Sequence, residues 1–220
     1  MALVGRSVPR VDGPAKVAGT ARYVDDLTRP GVLYGATLRS PGARGRLQGI
    51  RRDPAFDWAG VTVVTAEDVP VNVVSLIEED QPVLASGEVR HTYEPIALVA
   101  AEDPVRLGRA LRALMPEIEP LPPVLTVEDA LARKVQIHGP DNVFATYRIS
   151  KGDAMRGIAA SAVRLTGRYR THHQEQLYIE PQGVLAFWDA SGAHVVGSLQ
   201  CPFYVHKGVK RTFSLDDARV

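Results

Sequence analysis

Residues 96–101, Ile-Ala-Leu-Val-Ala-Ala, are apolar at every position. The run is far too short for a membrane span. It has no polar side to turn to water, so it fits a strand covered on both faces at the centre of a sheet. Asp103-Pro104 then supplies a helix cap and a first-turn proline. Leu107, Leu111 and Leu114 make one helical stripe, while Arg106, Arg109 and Arg112 project elsewhere. A covered strand leading straight into an amphipathic helix predicts mixed α and β structure.

Further strands are predicted around it. Residues 32–39, bounded by Pro30-Gly31 and Ser40-Pro41-Gly42, have strand propensity, and residues 61–64 form a second candidate. Thr65 with Asp68 three places on has the form of a capping box, predicting a short helix that Pro70 ends. Pro116, Pro120, Pro122 and Pro123 predict the end of the long helix and a stiff connector, after which Thr126 caps a helix through Leu131. Before Tyr23, the breakers Gly5, Pro9, Gly13, Pro14 and Gly19 predict an extended arm.

Residues 133–160 are rich in turn formers, and a domain boundary is expected there. The expected organisation is an arm over 1–20, one domain over 21–132 and a second over 133–220, an α+β architecture overall. In the second domain Val163, Leu165 and Tyr169 alternate with Arg164, Thr166, Arg168 and Arg170, predicting a strand with one buried face. Leu177-Tyr178-Ile179 leads through Glu180-Pro181-Gln182-Gly183 into a strand over 184–188, and Asp189-Ala190-Ser191-Gly192 turns it into one ending at Gln200. Cys201-Pro202 breaks that strand. Val205, Val209 and Phe213 then mark the apolar stripe of a helix, with Lys207, Lys210 and Arg211 off the stripe. A strand end facing a helix N-terminus is a crevice suited to an anion, and Gln200 would stand in it. Residues 216–220 read as the start of another strand.

A formal net charge of +1 gives no field for nucleic acid or an anionic membrane. One cysteine excludes an internal disulfide and any cysteine-only metal or cluster site. No apolar run approaches a membrane span and no signal-peptide core is present, so a cytoplasmic location is expected.

No complete catalytic set is visible, and no metal ligand set. His172 and His173 would point to opposite strand faces, and His206 stands alone. Cys201 at a helix N-terminus has the place of a nucleophile, but with no paired base the role of a small buried or N-cap residue is favoured. Gln200 is a neutral donor and acceptor, suited to holding an oxo or carbonyl group. Glu180 lies among Gln174, Glu175, Gln176 and Gln182, a solvated loop. Gly5, Gly13 and Gly19 follow no strand and open no helix, so they make no nucleotide fingerprint.

Several stretches, in order, resemble the molybdenum-binding subunit of the xanthine dehydrogenase and aldehyde oxidase family. Residues 5–26 resemble the family's opening sequence, Leu33-Tyr34-Gly35-Ala36-Thr37-Leu38-Arg39-Ser40 its first hammerhead strand, and residues 94–102 a central one. Tyr93 stands where glycine is usual. Residues 178–183 and 200–207 resemble the opening of its cofactor domain. The resemblance implies an α/β hammerhead domain followed by the first β-rich portion of a molybdopterin-binding domain. It implies that Gln200 approaches an oxo ligand of molybdenum and that Glu180 lies near the substrate channel. The family's general base and substrate-gripping residues fall beyond Val220, so the chain alone is expected to be inactive. Iron–sulfur clusters and FAD are expected on partner subunits, within an oligomer that includes the remaining molybdenum-binding segment. The implied reaction is hydroxylation of a purine, another N-heterocycle or an aldehyde with water as oxygen source. The alternative is a non-catalytic assembly module that keeps the hammerhead surface without the cofactor.

Overall fold

A computed structural model describes residues 4–75, 78–180 and 182–220. The chain divides into two compact units, one of Met1–Leu121 with Ile179–Val220 and one of Pro122–Tyr178.

In the first unit, β1 (Tyr34–Arg39), β3 (Thr62–Val64) and β5 (Pro95–Ala101) form one antiparallel sheet in the order β1-β5-β3. The apolar run is therefore the central strand. Ile96, Ala97, Val99 and Ala101 are buried, but Leu98 is 43% exposed, so the expected cover is complete on one face and open at Leu98 on the other. Helix α2 (Pro104–Arg112) closes the first face. Its cap is Asp103, whose carboxylate accepts from the amides of Val105 at 2.9 Å and Arg106 at 2.8 Å. Val99 and Ala101 pack there with Leu107, Ala110 and Leu114.

Leu114 belongs to a strand, not to the helix as its spacing predicts. β6 (Leu114–Pro120) is the edge of a second antiparallel sheet in the order β4-β2-β6, with β2 (Gly45–Arg52) at the centre and β4 (Glu88–Val89) beyond it. The expected proline connector at 116–120 is thus a strand. Its prolines are tolerated because an edge strand has one side without a ladder to complete. Ile50 of β2 touches both buried clusters and joins the two sheets.

Three local features match the sequence reading. Thr65 and Asp68 bond reciprocally around the 3-10 turn Ala66–Asp68, Thr126 accepts from the Asp129 amide at the start of α3 (Val127–Leu131), and the Asp189–Gly192 turn joins β7 (Val184–Asp189) to β8 (Gly192–Gly197). The arm expected over 1–20 includes one short helix, α1 (Gly13–Val17), with no buried residue.

Tyr93 has φ +65°, in the left-handed region that glycine occupies without strain, and is 68% exposed. Its backbone bonds, from its amide to the Ser40 carbonyl at 3.0 Å and from Arg39 to its carbonyl at 3.1 Å, do not need the ring. Tyr93→Gly is expected to raise stability by about 0.5–1 kcal/mol, read as a higher urea midpoint at unchanged slope. A lower midpoint would mean that the ring contributes packing the backbone strain does not outweigh.

In the second unit α3 is followed by α4 (Ala154–Ala160), capped by Asp153 through the Arg156 amide. The strands expected over 163–170 and 177–179 are absent, and those residues have no ladder partner among the described residues. Alternation gives a segment one apolar face, but a strand also needs a neighbour for its backbone groups.

Candidate cofactor site

The C-terminal end of the first unit carries the residues nominated from sequence. β7 and β8 form a hairpin whose last ladder pair is Val184 with Gly197. The ladder stops there, three residues short of the expected Gln200. One further bond, from the Ser198 amide to the Gly183 carbonyl at 3.3 Å, extends the alignment. Glu180 and Gln200 therefore lie on the two segments leaving the same open end of the hairpin. Pro181, between Glu180 and Gln182, lies outside the described residues.

Helix α5 (Pro202–Phe213) begins two residues after Gln200, with Pro202 in its first turn as expected. Cys201 is the N-cap, exposed and without a side-chain cap bond. The amides of Tyr204 and Val205 bond to the Cys201 carbonyl, and Pro202 has no N–H. The Phe203 amide is left without an acceptor among the described residues. No acidic side chain stands in the first turn, so the positive end of the helix is not neutralised locally. Gln200 is exposed and makes no hydrogen bond among the described residues. An unneutralised helix start next to a free carboxamide suits an anionic, oxygen-rich group such as a molybdopterin.

The apolar stripe of α5 divides between two hollows. Val205 and Val209 face Val64, Val69, Val83 and Leu98 across a cavity of about 530 Å³, and face His194, Val196 and Leu199 of the hairpin side across another of about 290 Å³. Gln200 lines neither. Phe213 meets Trp188 edge to face at 6.4 Å, and Thr212, not an aliphatic residue, is the buried position of the helix. The C-terminal end of α5 is fixed to the hammerhead side by the Val71 amide, which donates to the Thr212 carbonyl at 3.1 Å, and by Arg211, which grips Glu79 through both terminal nitrogens. Ser214, in the left-handed region at φ +53°, ends the helix, and residues 217–219 form a 3-10 turn where a strand was expected.

Asp189, Ser191 and His194 gather at the β7–β8 turn. His194 Nε2 lies 3.0 Å from Ser191 Oγ and 3.1 Å from Asp189 Oδ1. One nitrogen serving both partners cannot relay a proton between them, so this is a turn cap and not a nucleophile relay. The Ser191 hydroxyl and amide, with His194, hold the Asp189 carboxyl well below the usual carboxylate range. His172 and His173 are exposed in the second unit, and His206 lines the smaller cavity. Among the described residues no group of three or more His, Cys, Asp or Glu side chains could hold a metal ion. No helix among them is long and apolar enough to cross a membrane.

Residues 18–122 match the model described as aldehyde oxidase and xanthine dehydrogenase, a/b hammerhead domain, and residues 136–220 match that of the molybdopterin cofactor-binding domain. The chain belongs to the xanthine dehydrogenase and aldehyde oxidase family. The nicotinate dehydrogenase large molybdopterin subunit of Eubacterium barkeri is 30% identical over 99% of this chain and 52% of its own length. The xanthine dehydrogenase molybdenum-binding subunit of Escherichia coli is 31% identical over 94% of this chain and 29% of its own. The aldehyde oxidoreductase of Desulfovibrio gigas superposes with a TM-score of 0.82 at 24% identity, over 95% of this chain and 25% of that one, a likeness of fold. The chain thus spans between a quarter and about half of these family members. It carries the hammerhead domain followed by the start of the molybdopterin-binding domain.

Proposed function

We propose that the chain is the N-terminal part, or a split subunit, of a molybdenum hydroxylase resembling xanthine dehydrogenase. Its substrate is a purine, another N-heterocycle or an aldehyde, and water is the oxygen source. The supporting observation is the match of residues 136–220 to a molybdopterin cofactor-binding domain, with Gln200 exposed beside the unneutralised start of α5. When bound, the molybdenum–pterin group supplies two-electron redox and oxygen-transfer chemistry. Gln200 contributes an amide N–H that donates to an oxygen of that group and does not compete for the proton. The Phe203 amide adds a second donor at the helix start. Glu180, leaving the same end of the hairpin, is assigned to the substrate channel.

No catalytic base is assigned to this chain; that role belongs to the remaining molybdenum-binding segment. Iron–sulfur clusters and FAD belong on partner subunits, since one cysteine cannot ligate a cluster. N-heterocycles are favoured as the substrate class because the similar proteins include subunits of a nicotinate dehydrogenase and of a xanthine dehydrogenase. We place the arm at 1–20, the hammerhead domain at 21–132 and the incomplete cofactor domain at 133–220, in a cytoplasmic complex.

The complex purified through this chain is expected to contain molybdenum and pterin. Gln200→Ala, at an exposed position, is expected to leave its melting temperature unchanged and to lower metal retention or turnover roughly 10–100-fold. A stable complex free of metal and pterin would replace this reading with that of a non-catalytic assembly module.

A further inference from the structure

Residues 22–29, before the first hammerhead strand, reach the hairpin that carries the cofactor site. A 3-10 turn at Val24–Asp26 is held by local bonds: the Tyr23 amide donates to Asp26 Oδ2 at 2.8 Å, and Arg22 donates to the Asp26 carbonyl at 2.6 Å. The turn presents the half-buried Val24 to Gly183. A β carbon at Gly183 would lie 2.9 Å from Val24 Cγ1, closer than packed side chains approach, so glycine alone fits against that methyl group. Gly197 packs as closely from β8, since a β carbon there would collide with the Gly183 carbonyl oxygen. The same carbonyl accepts from the Ser198 amide at 3.3 Å. The Gly183 backbone is thus held between Val24 and β8.

A second contact lies further along the same stretch. The Arg29 guanidinium stands over the Phe187 ring, 3.7 Å from its centroid, and His194 of β8 stacks on that ring at 4.6 Å and 10°. Gly183 and Phe187 are four residues apart along β7 and the residue before it, so they share a face and lie about 13 Å from each other. Residues 24–29 therefore fasten to one face of the hairpin at two points, by a methyl group and by a cation over an aromatic ring. Val24 and Arg29 fall in the part matching the hammerhead model, Gly183 and Phe187 in the part matching the molybdopterin cofactor-binding model, and all four belong to one compact unit. Glu180 is three residues before Gly183, and Gln200 three after Gly197. Beyond Gly197 the ladder has ended, and a ladder end with no outside contact frays.

We propose that Val24 is a positioning residue of the cofactor site, anchored by Arg29: it pins Gly183 against Gly197 and so sets the spacing of the two segments that carry Glu180 and Gln200. Both residues act through the hairpin backbone, not by contact with the bound group. The molybdopterin as occupant of the site rests on the proposed function; the pinning of the open end of the hairpin does not.

The test is an exchange of size between the two positions. Gly183→Ala should push residues 180–183 away from Val24. In the isolated chain the amides of 196–198 should then exchange about tenfold faster while those of β5 keep their rates. The complex purified through this chain should retain roughly tenfold less molybdenum and pterin. Adding Val24→Ala removes the colliding methyl group and should restore both readings, a rescue that general destabilisation would not give. Arg29→Ala, which releases the far contact, should move both readings in the direction of Gly183→Ala. Exchange unchanged by Gly183→Ala, or not repaired by Val24→Ala, would overturn the pinning whatever the metal content. Repaired exchange without repaired retention would overturn the positioning role. A wild-type complex free of molybdenum and pterin would remove the proposed function and the positioning role with it, while the exchange rates would still decide the pinning.

Discussion

Gly45→Ala is expected to destabilise the first unit by about 1–3 kcal/mol, a cost of overpacking, not of lost contacts. Gly45 is buried at the start of β2, paired with Val89 on one side and Pro120 on the other. A β carbon there would lie 2.2 Å from Ile118 Cγ2 and 2.8 Å from the Glu119 carbonyl oxygen. Neither can yield cheaply: Ile118 packs on the buried cluster of Ala85, Val89 and Ile96, and the carbonyl is backbone in the adjoining strand. At about 2–4 °C per kcal/mol for a chain of this size, the melting temperature should fall by roughly 2–12 °C. An unchanged melting temperature would show that the β2–β6 pair opens freely enough to admit a methyl group.

Asn72→Ala should cost a similar amount by a different route. The Asn72 side chain donates to the Leu84 carbonyl at 2.8 Å and accepts from the Leu84 amide at 2.9 Å, doing for that residue what a neighbouring strand would do. Leu84 is almost fully buried. Removing the carboxamide leaves its backbone donor and acceptor unpaired away from water, about 2–3 kcal/mol together. Exchange of the Leu84 amide should accelerate more than that of the β5 amides. Equal acceleration throughout would mean global unfolding and would sink the local account. Val71, next in the chain, holds the Thr212 carbonyl, so the same variant should also loosen the C-terminal end of α5.

What could be read from sequence had local causes. β5 is apolar throughout, Asp103-Pro104 caps α2 with its own side chain, and the Asp189–Gly192 turn sets the β7–β8 register. β2 and β6 were not legible, because their polar positions make sense only across strands. Arg46 pairs with Glu119 and Arg51 with Glu117, partners distant in sequence, and the prolines of β6 look like breakers until its edge position is known. The 163–170 segment is the converse, a strand pattern without a strand. For the site, Pro202 and the α5 stripe located the helix, and Gln200 emerged beside its start. The early end of β8 was hidden because Ser198, Leu199 and Gln200 carry nothing that stops a strand.

The first unit is discontinuous in sequence, with Pro122–Tyr178 lying between its two parts. During synthesis both hammerhead sheets are complete once Pro120 has emerged, but the helix that faces Leu98 and Val64 follows only ~90 residues later, roughly 5–18 s at ordinary elongation rates. Through that interval a finished sheet shows the nascent protein's surroundings an apolar face, the one later occupied by α5. Closing the long excursion adds little entropic cost by virtue of its length. The vulnerable quantity is time, so slowed elongation across residues 122–178 should increase chaperone capture or aggregation of this protein without altering the stability of the finished fold.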